Sequence, residues 1–238
     1  MKIEIWSDIA CPFCYIGKRH FEKALEQFDN KEKIEIEWKS YLLDPDYVYT
    51  SENPETEAEY ISRRKGISVE EARRMFTGIT RMASMAGLNY DFDKVIVANT
   101  LNAHRIIQKA KEKNWGDEAE ERFFRAFFVD GENLNEKDTL VEIAREIGLT
   151  ETEANDALTN DKYAYEVNSD IQEAAQIGVS GVPFFVFDRK YGVSGAQPTE
   201  VFLQTLEKSF AEWKEKNPSV EITNAAEGNA CDLDGICE

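Results

Sequence analysis

The feature that most constrains this chain lies near its start. An alternating stretch, Lys2-Ile-Glu-Ile-Trp6, runs through Ser7-Asp8-Ile9-Ala10 straight into Cys11-Pro-Phe-Cys14. Period-two alternation predicts a strand. From Cys14 to about Phe28 the apolar residues Tyr15, Phe21, Ala24, Leu25 and Phe28 recur at helical spacing, and Asp29-Asn30 ends the run. Lys33 to Tyr41 alternates again, so a second strand follows a crossover helix in a βαβ unit.

From about Asp44 to Asn160 the texture is helix after helix. Ser68-Val-Glu-Glu71 and Thr150-Glu-Thr-Glu153 are capping boxes, and Gly131 and Gly148 stand at C-terminal stops. Asp93–Asn114, Asp117–Val129 and Asp138–Ile147 carry apolar residues three and four apart, among them Phe123, Phe124, Phe127 and Phe128. Each predicts a helix with a broad buried face. A further helix is expected over about Lys162–Ile177, with Gly178 as its stop. Then come a buried strand in the run Val179–Phe187, a hairpin partner in Arg189–Ser194, and a last helix from Pro198 to about Lys214, proline in its first turn. The order β-α-β, helical block, α-β-β-α is α/β. With the block set aside it has the connectivity of a thioredoxin-type sheet covered by helices on both faces. The expected organisation is a sheet domain from residues 1–43 and 161–214, an inserted helical domain over 44–160, and a flexible acidic tail over 215–238.

Forty-six acidic residues against 28 basic ones leave a net charge of −18. A surface of that sign repels phosphate backbones and anionic headgroups, so neither nucleic acid nor membrane is an expected partner. Charges interrupt the first residues where a secretory leader needs an apolar run, and no window approaches the ~18 apolar residues of a membrane span. The expected location is the cytoplasm. The four cysteines form two close pairs, Cys11 with Cys14 and Cys231 with Cys237. In a reducing compartment such pairs indicate redox or metal chemistry rather than structural staples.

A helix N-terminus carries about half a positive charge and several unpaired N–H groups, which favour a thiolate placed there. Cys11 is therefore the expected nucleophile. Pro12 suits the first turn because it has no N–H to lose, and Cys14, one turn further in, is the expected resolving thiol. Two plainer readings stand beside this one. The cysteines are small buried apolar residues, or they share a zinc ion with Cys231 and Cys237. The strand–motif–helix context speaks against the first, and the looser spacing of the tail pair against the second.

Four segments in order carry a resemblance: Ser7-Asp-Ile-Ala-Cys-Pro-Phe-Cys14, Asn99-Thr-Leu-Asn-Ala-His-Arg105, Ser180-Gly-Val-Pro-Phe-Phe185 and Tyr191-Gly-Val-Ser-Gly-Ala-Gln-Pro198. Over about residues 1–214 the chain resembles the FrnE-type branch of the DsbA-like thioredoxin-fold oxidoreductases. The resemblance implies a thioredoxin-like fold with a large all-helical insertion between the second strand and the cis-proline strand. It implies that Val182-Pro183 is the cis-proline loop, facing the cysteines and offering backbone groups to an extended peptide. It also implies an insertion lying over the redox site, which would bring Asn99 and His104 toward it. From the residues alone, a trans Pro183 opening a strand is equally compatible, and a lone histidine in an amphipathic helix is more often packed than catalytic. Asp8 is placed either to relay a proton to Cys14 or to cap the turn, and the cap is preferred.

Pro12-Phe13 lacks the histidine of strongly oxidising DsbA proteins and the Gly-Pro of reductive thioredoxins. The expected potential is intermediate, inside roughly −270 to −120 mV. The expected function is a thiol–disulfide oxidoreductase or isomerase acting on protein thiols and disulfides, with no cofactor and no metal. Its expected electron partner is glutathione or a thioredoxin-type system, and its expected state a monomer or homodimer. Cys231 and Cys237 are either a secondary redox pair that relays to Cys11 and Cys14 or a disulfide formed in air. Kappa-type glutathione transferases and chromene-carboxylate isomerases resemble the same fold, which keeps a small-molecule enzyme open, although those relatives usually carry serine where this chain has Cys11. A thiol-based metal-binding stress protein is the third class.

Overall fold

The computed structural model describes residues 1–218. Cys231 and Cys237 lie outside them. Strands β1 (Lys2–Ser7) and β2 (Glu35–Ser40) flank helix α1 (Pro12–Glu26) and pair in parallel, Ile5 opposite Trp38, as a crossover helix requires. Seven helices follow: α2 (Glu57–Lys65), α3 (Val69–Met85), α4 (Leu101–Lys111), α5 (Gly116–Arg125), α6 (Lys137–Ile147), α7 (Glu151–Thr159) and α8 (Asp161–Gln176). Strands β3 (Phe184–Phe187) and β4 (Tyr191–Ser194) and helix α9 (Thr199–Lys216) complete the described chain. The sheet order is β2-β1-β3-β4, with β3 antiparallel to both its neighbours. This is the expected thioredoxin-type connectivity, with the helical insertion between β2 and β3.

Alternation along β1 sends Ile3 and Ile5 to one face of the sheet. There they meet Phe21 of α1, Phe185 and Phe187 of β3, and Phe202 of α9. Trp6 points the other way, against Ala174 of α8, Val179 and Val186, and its indole N–H donates to the Asp170 carbonyl at 2.9 Å. The insertion has its own core, in which Phe123, Phe124, Phe127 and Phe128 are buried with Ile106 and Ile107 of α4. That core is continuous with Cys14 and Tyr15, and the Tyr15 ring stacks on Phe124 with centroids 5.0 Å apart. The start of α1 is thus packed into the insertion. Their outer seam carries charge: Lys18, buried, reaches Asp117 and Glu121 of α5 at 3.1 and 3.2 Å.

Several elements differ from expectation. The helix expected over Asp93–Asn114 begins only at Leu101. Asp91 and Asn99 each accept a hydrogen bond from the backbone N–H two residues on, at 3.2 and 3.0 Å, and these turn-forming bonds compete with a helix. Val95 and Val97 are buried at two-residue spacing instead, and Ile96 bridges to Thr56. Helix α2 has a capping box of its own in Thr56-Glu-Ala-Glu59, a signal the periodicity reading passed over. The strand expected over Val179–Phe187 shortens to Phe184–Phe187. Val179 closes α8 by donating to the Ala174 carbonyl at 2.8 Å, after Gly178 at φ +82°, and Pro183 has no N–H for a ladder. Pro198 sits at the N-cap of α9 rather than within its first turn.

The box that opens α3 is formed on both sides. Ser68 Oγ accepts from the Glu71 N–H at 3.2 Å, and the Glu71 carboxylate accepts from the Ser68 N–H at 2.8 Å. Ser68→Ala is expected to cost about 1 kcal/mol. Urea unfolding of the two proteins measures it, and an unchanged midpoint would contradict it.

Candidate active site

Strand β1 delivers Cys11 to the N-cap of α1, with Pro12 as the first helical residue. The Cys11 N–H donates to the Asp8 carbonyl at 2.9 Å, and the Cys14 N–H donates back to the Cys11 carbonyl at 3.0 Å. Both thiols are buried, Cys11 4% and Cys14 1% exposed. Phe13 between them is 38% exposed. The Val182–Pro183 peptide is cis, and the Val182 carbonyl accepts from the Cys11 thiol at 3.4 Å. Gly17 makes that approach feasible, since a Cβ there would come within 3.1 Å of the Pro183 ring.

Beneath the cysteines lies a buried polar layer. Asp8, 1% exposed, accepts from the Ala10 N–H at 3.2 Å, from Thr100 Oγ1 at 2.7 Å and from the Leu43 N–H at 2.6 Å. It caps the turn and also ties the end of β1 to the insertion. His104 of α4 is fully buried, its Nε2 3.5 Å from Asp8 Oδ1, and neither ring nitrogen has a hydrogen bond among the described residues. Asn99 spends its amide on the Pro45 and Tyr47 carbonyls, at 2.9 and 3.2 Å, and so holds the loop after β2.

Two further residues of the insertion reach this centre. Tyr90 Oη donates to the Pro12 carbonyl at 2.7 Å, clamping the first turn of α1. Glu120 of α5, 1% exposed, accepts from Ser7 Oγ at 3.4 Å through Oε2, while its Oε1 has no partner. Burial pushes the Glu120 carboxyl up to about 7, against the pull of His104 and Lys18. Burial likewise pushes the Cys14 thiol well up, and its hydrogen bond with Cys11 adds to that. Ser7 lies beside Cys14 as well, and its hydroxyl donates to the Glu120 carboxylate. Neither Tyr90 nor Glu120 is marked by spacing, because an acid or a tyrosine in a helical block reads as surface or core until the helices are placed.

Beside Cys11 a cleft of about 370 Å³ opens between the motif and helices α2 and α3, with Phe13, Leu43, Phe76 and Ile79 among its walls. Among the described residues, no three His, Cys, Asp or Glu side chains are grouped to hold a metal ion.

The chain is similar to known proteins in sequence and fold. A probable DsbA oxidoreductase from Streptomyces coelicolor superposes with a TM-score of 0.83 at 38% identity, over 100% of this chain and 98% of that one. The cytosolic disulfide reductase DsbM from Pseudomonas aeruginosa shares the fold, with a TM-score of 0.59 at 16% identity over 91% of this chain and 98% of its own. The uncharacterized protein YwbO of Bacillus subtilis is 29% identical over 214 residues, 86% of this chain and 94% of that protein. Residues 2–207 match the model of the DSBA-like thioredoxin domain. With the buried cysteine pair at the start of α1 and the cis-proline loop against it, the chain belongs to the DSBA-like thioredoxin domain family.

Proposed function

We propose that this protein is a thiol–disulfide oxidoreductase that acts on protein disulfides, with Cys11 as nucleophile and Cys14 as resolving thiol. The observation that carries the reading is Cys11 at a helix N-cap with the Val182 carbonyl 3.4 Å from its sulfur. The helix end presents unpaired backbone N–H groups at that position, and the Val182 loop offers backbone to an incoming extended segment. Cys11 attacks one sulfur of a client disulfide, forming a mixed disulfide and releasing the other sulfur as a thiolate. Cys14 then attacks Cys11, closing the internal disulfide and releasing the second client thiol. Two electrons pass to the client. A thiol of the glutathione or thioredoxin-system class returns them, and the protein works in the cytoplasm; the cytosolic reductase DsbM, also known in a structure with GSH, supports both points by its shared fold. No described helix is long and apolar enough to cross a membrane.

Equilibration in glutathione redox buffers tests the reading. The expected result is a two-electron transition of Cys11 and Cys14 inside roughly −270 to −120 mV, together with reduction of a protein disulfide by the reduced chain. A pair that forms no internal disulfide at any buffer ratio would sink the reading. A small-molecule enzyme is the second reading, favoured by a cleft whose volume suits a small ligand.

A further inference from the structure

The cleft beside Cys11 is walled chiefly by apolar side chains, yet it contains one buried acid with nothing to pair with. Glu57, the first residue of α2, is 7% exposed and lines the cleft. Its carboxylate makes no hydrogen bond or ion pair among the described residues. Burial pushes this carboxyl up to about 7, and the neighbouring Glu55 carboxylate adds to the effect. The cations on the same cleft are elsewhere engaged or distant. Arg64 binds Asp44 at 2.5 Å, Tyr60 Oη at 3.1 Å and the Leu43 carbonyl at 3.2 Å. Lys65 is exposed at the far end of α2, about 12 Å along the helix from Glu57.

The other titratable groups around Glu57 are acidic or phenolic except Arg63, whose guanidinium is taken up by Glu55 at 2.7 Å. Glu55 and Tyr47 approach it from the preceding segment, and Asp44, Tyr60 and Asp8 line the cleft. Helix α3 contributes only Met75, Phe76 and Ile79. Asp8 and Asp44 already hold their own partners. A carboxyl left unpaired in such a place costs free energy in its charged form, and an incoming ammonium or guanidinium removes that cost by pairing with it. The net charge of −18 attracts cations over a longer range.

We propose that this cleft is a specificity subsite for a basic side chain, so that Cys11 selects polypeptide disulfides whose cysteine is flanked by lysine or arginine, the cation seated on Glu57 and its aliphatic stem on Phe76 and Ile79. The inference rests on the oxidoreductase reading. It adds no step to the exchange: the reduced Cys11–Cys14 pair gives two electrons to the peptide disulfide and becomes a disulfide, and the peptide leaves as two thiols.

The test is single-turnover oxidation of the reduced full chain by matched peptide disulfides carrying lysine, glutamine or glutamate beside the cysteine. Each rate is expressed relative to the glutamine peptide on the same protein. In the wild type at pH 8 the lysine peptide is expected to react about tenfold faster than the glutamine peptide and the glutamate peptide more slowly still. The lysine advantage is expected to shrink as pH falls from 8 to 6, as Glu57 takes up its proton, and to vanish in Glu57→Gln. Equal rates for lysine and glutamine peptides in the wild type would overturn the proposal, and so would a lysine advantage retained in Glu57→Gln. The wild-type pH series decides the matter even if that variant misfolds. Cystamine, a small disulfide with the same ammonium, separates the sources: a Glu57-dependent gain larger than the peptide's would overturn the polypeptide assignment. Oxidation by none of the disulfides would defeat the oxidoreductase reading itself, whereas brisk oxidation without cation preference defeats only the subsite.

Discussion

Cys14→Ser is expected to stop exchange halfway. Cys11 keeps its place at the N-cap of α1 and its contact with the Val182 carbonyl, so it still attacks a client disulfide. Among the described residues no other cysteine is left to resolve it, so the mixed disulfide persists. Mass spectrometry under non-reducing conditions should find client covalently held on Cys11, at up to one equivalent. Cys11→Ser should leave Cys14 with no route to the client, because Cys14 is 1% exposed and burial pushes its thiol well up. Turnover is expected to fall on the order of 10³-fold or more, as when a covalent nucleophile is removed elsewhere. The asymmetry between the variants is the decisive part. If Cys11→Ser traps client and Cys14→Ser does not, the roles of the two cysteines are reversed.

Glu120→Gln is expected to stabilise the protein, and only above a certain pH. The Glu120 carboxyl is raised by burial from its ordinary 4.5 to about 7 in the folded chain. Between those values the unfolded state binds fewer protons than the folded one, so this group's contribution to stability falls as pH rises. The stability is fully present below about pH 4.5 and is lost as pH climbs through 7. A shift of that size corresponds to about 3 kcal/mol. Glutamine has nearly the same shape, can still accept from Ser7, and does not ionise. Chemical unfolding should therefore give matching stabilities near pH 4.5 and a variant more stable by about 3 kcal/mol at pH 8. A pH-independent difference would remove Glu120 from the account.

The parts of this centre that are legible in the sequence are local. A strand running into Cys11-Pro-Phe-Cys14 and a helix is a continuous signal, and it marks the proposed nucleophile and resolving thiol and the turn that Asp8 caps. The resemblance adds Val182 and Pro183, residues that periodicity alone assigns to an ordinary buried strand. What stays hidden is supplied across the fold. Glu120, Tyr90 and Glu57 sit on or between helices of the insertion, and their meaning depends on how α2, α3 and α5 dock on α1, which no spacing encodes. The segment from Asp91 to Thr100 misleads for a related reason. Its apolar residues fit a helical period, but short side chains at Asp91 and Asn99 bond their own backbone and turn the chain before α4.

The cysteine pair and the loop that faces it come from opposite ends of the described chain. Val182 follows Cys11 by 171 residues. At a synthesis rate of roughly 5–20 residues per second, the thiols leave the ribosome roughly 10–30 s before that loop exists. For that interval β1 also lacks β3, its antiparallel neighbour. The helices that bury Cys14 and Tyr15 are made in between, so Cys14 can be sheltered while the Val182 carbonyl is still missing. A nascent chain stalled within the insertion would carry both sulfurs and no Val182 to face them. The contact between Cys11 and the Val182 carbonyl is thus among the last this protein acquires as it is made.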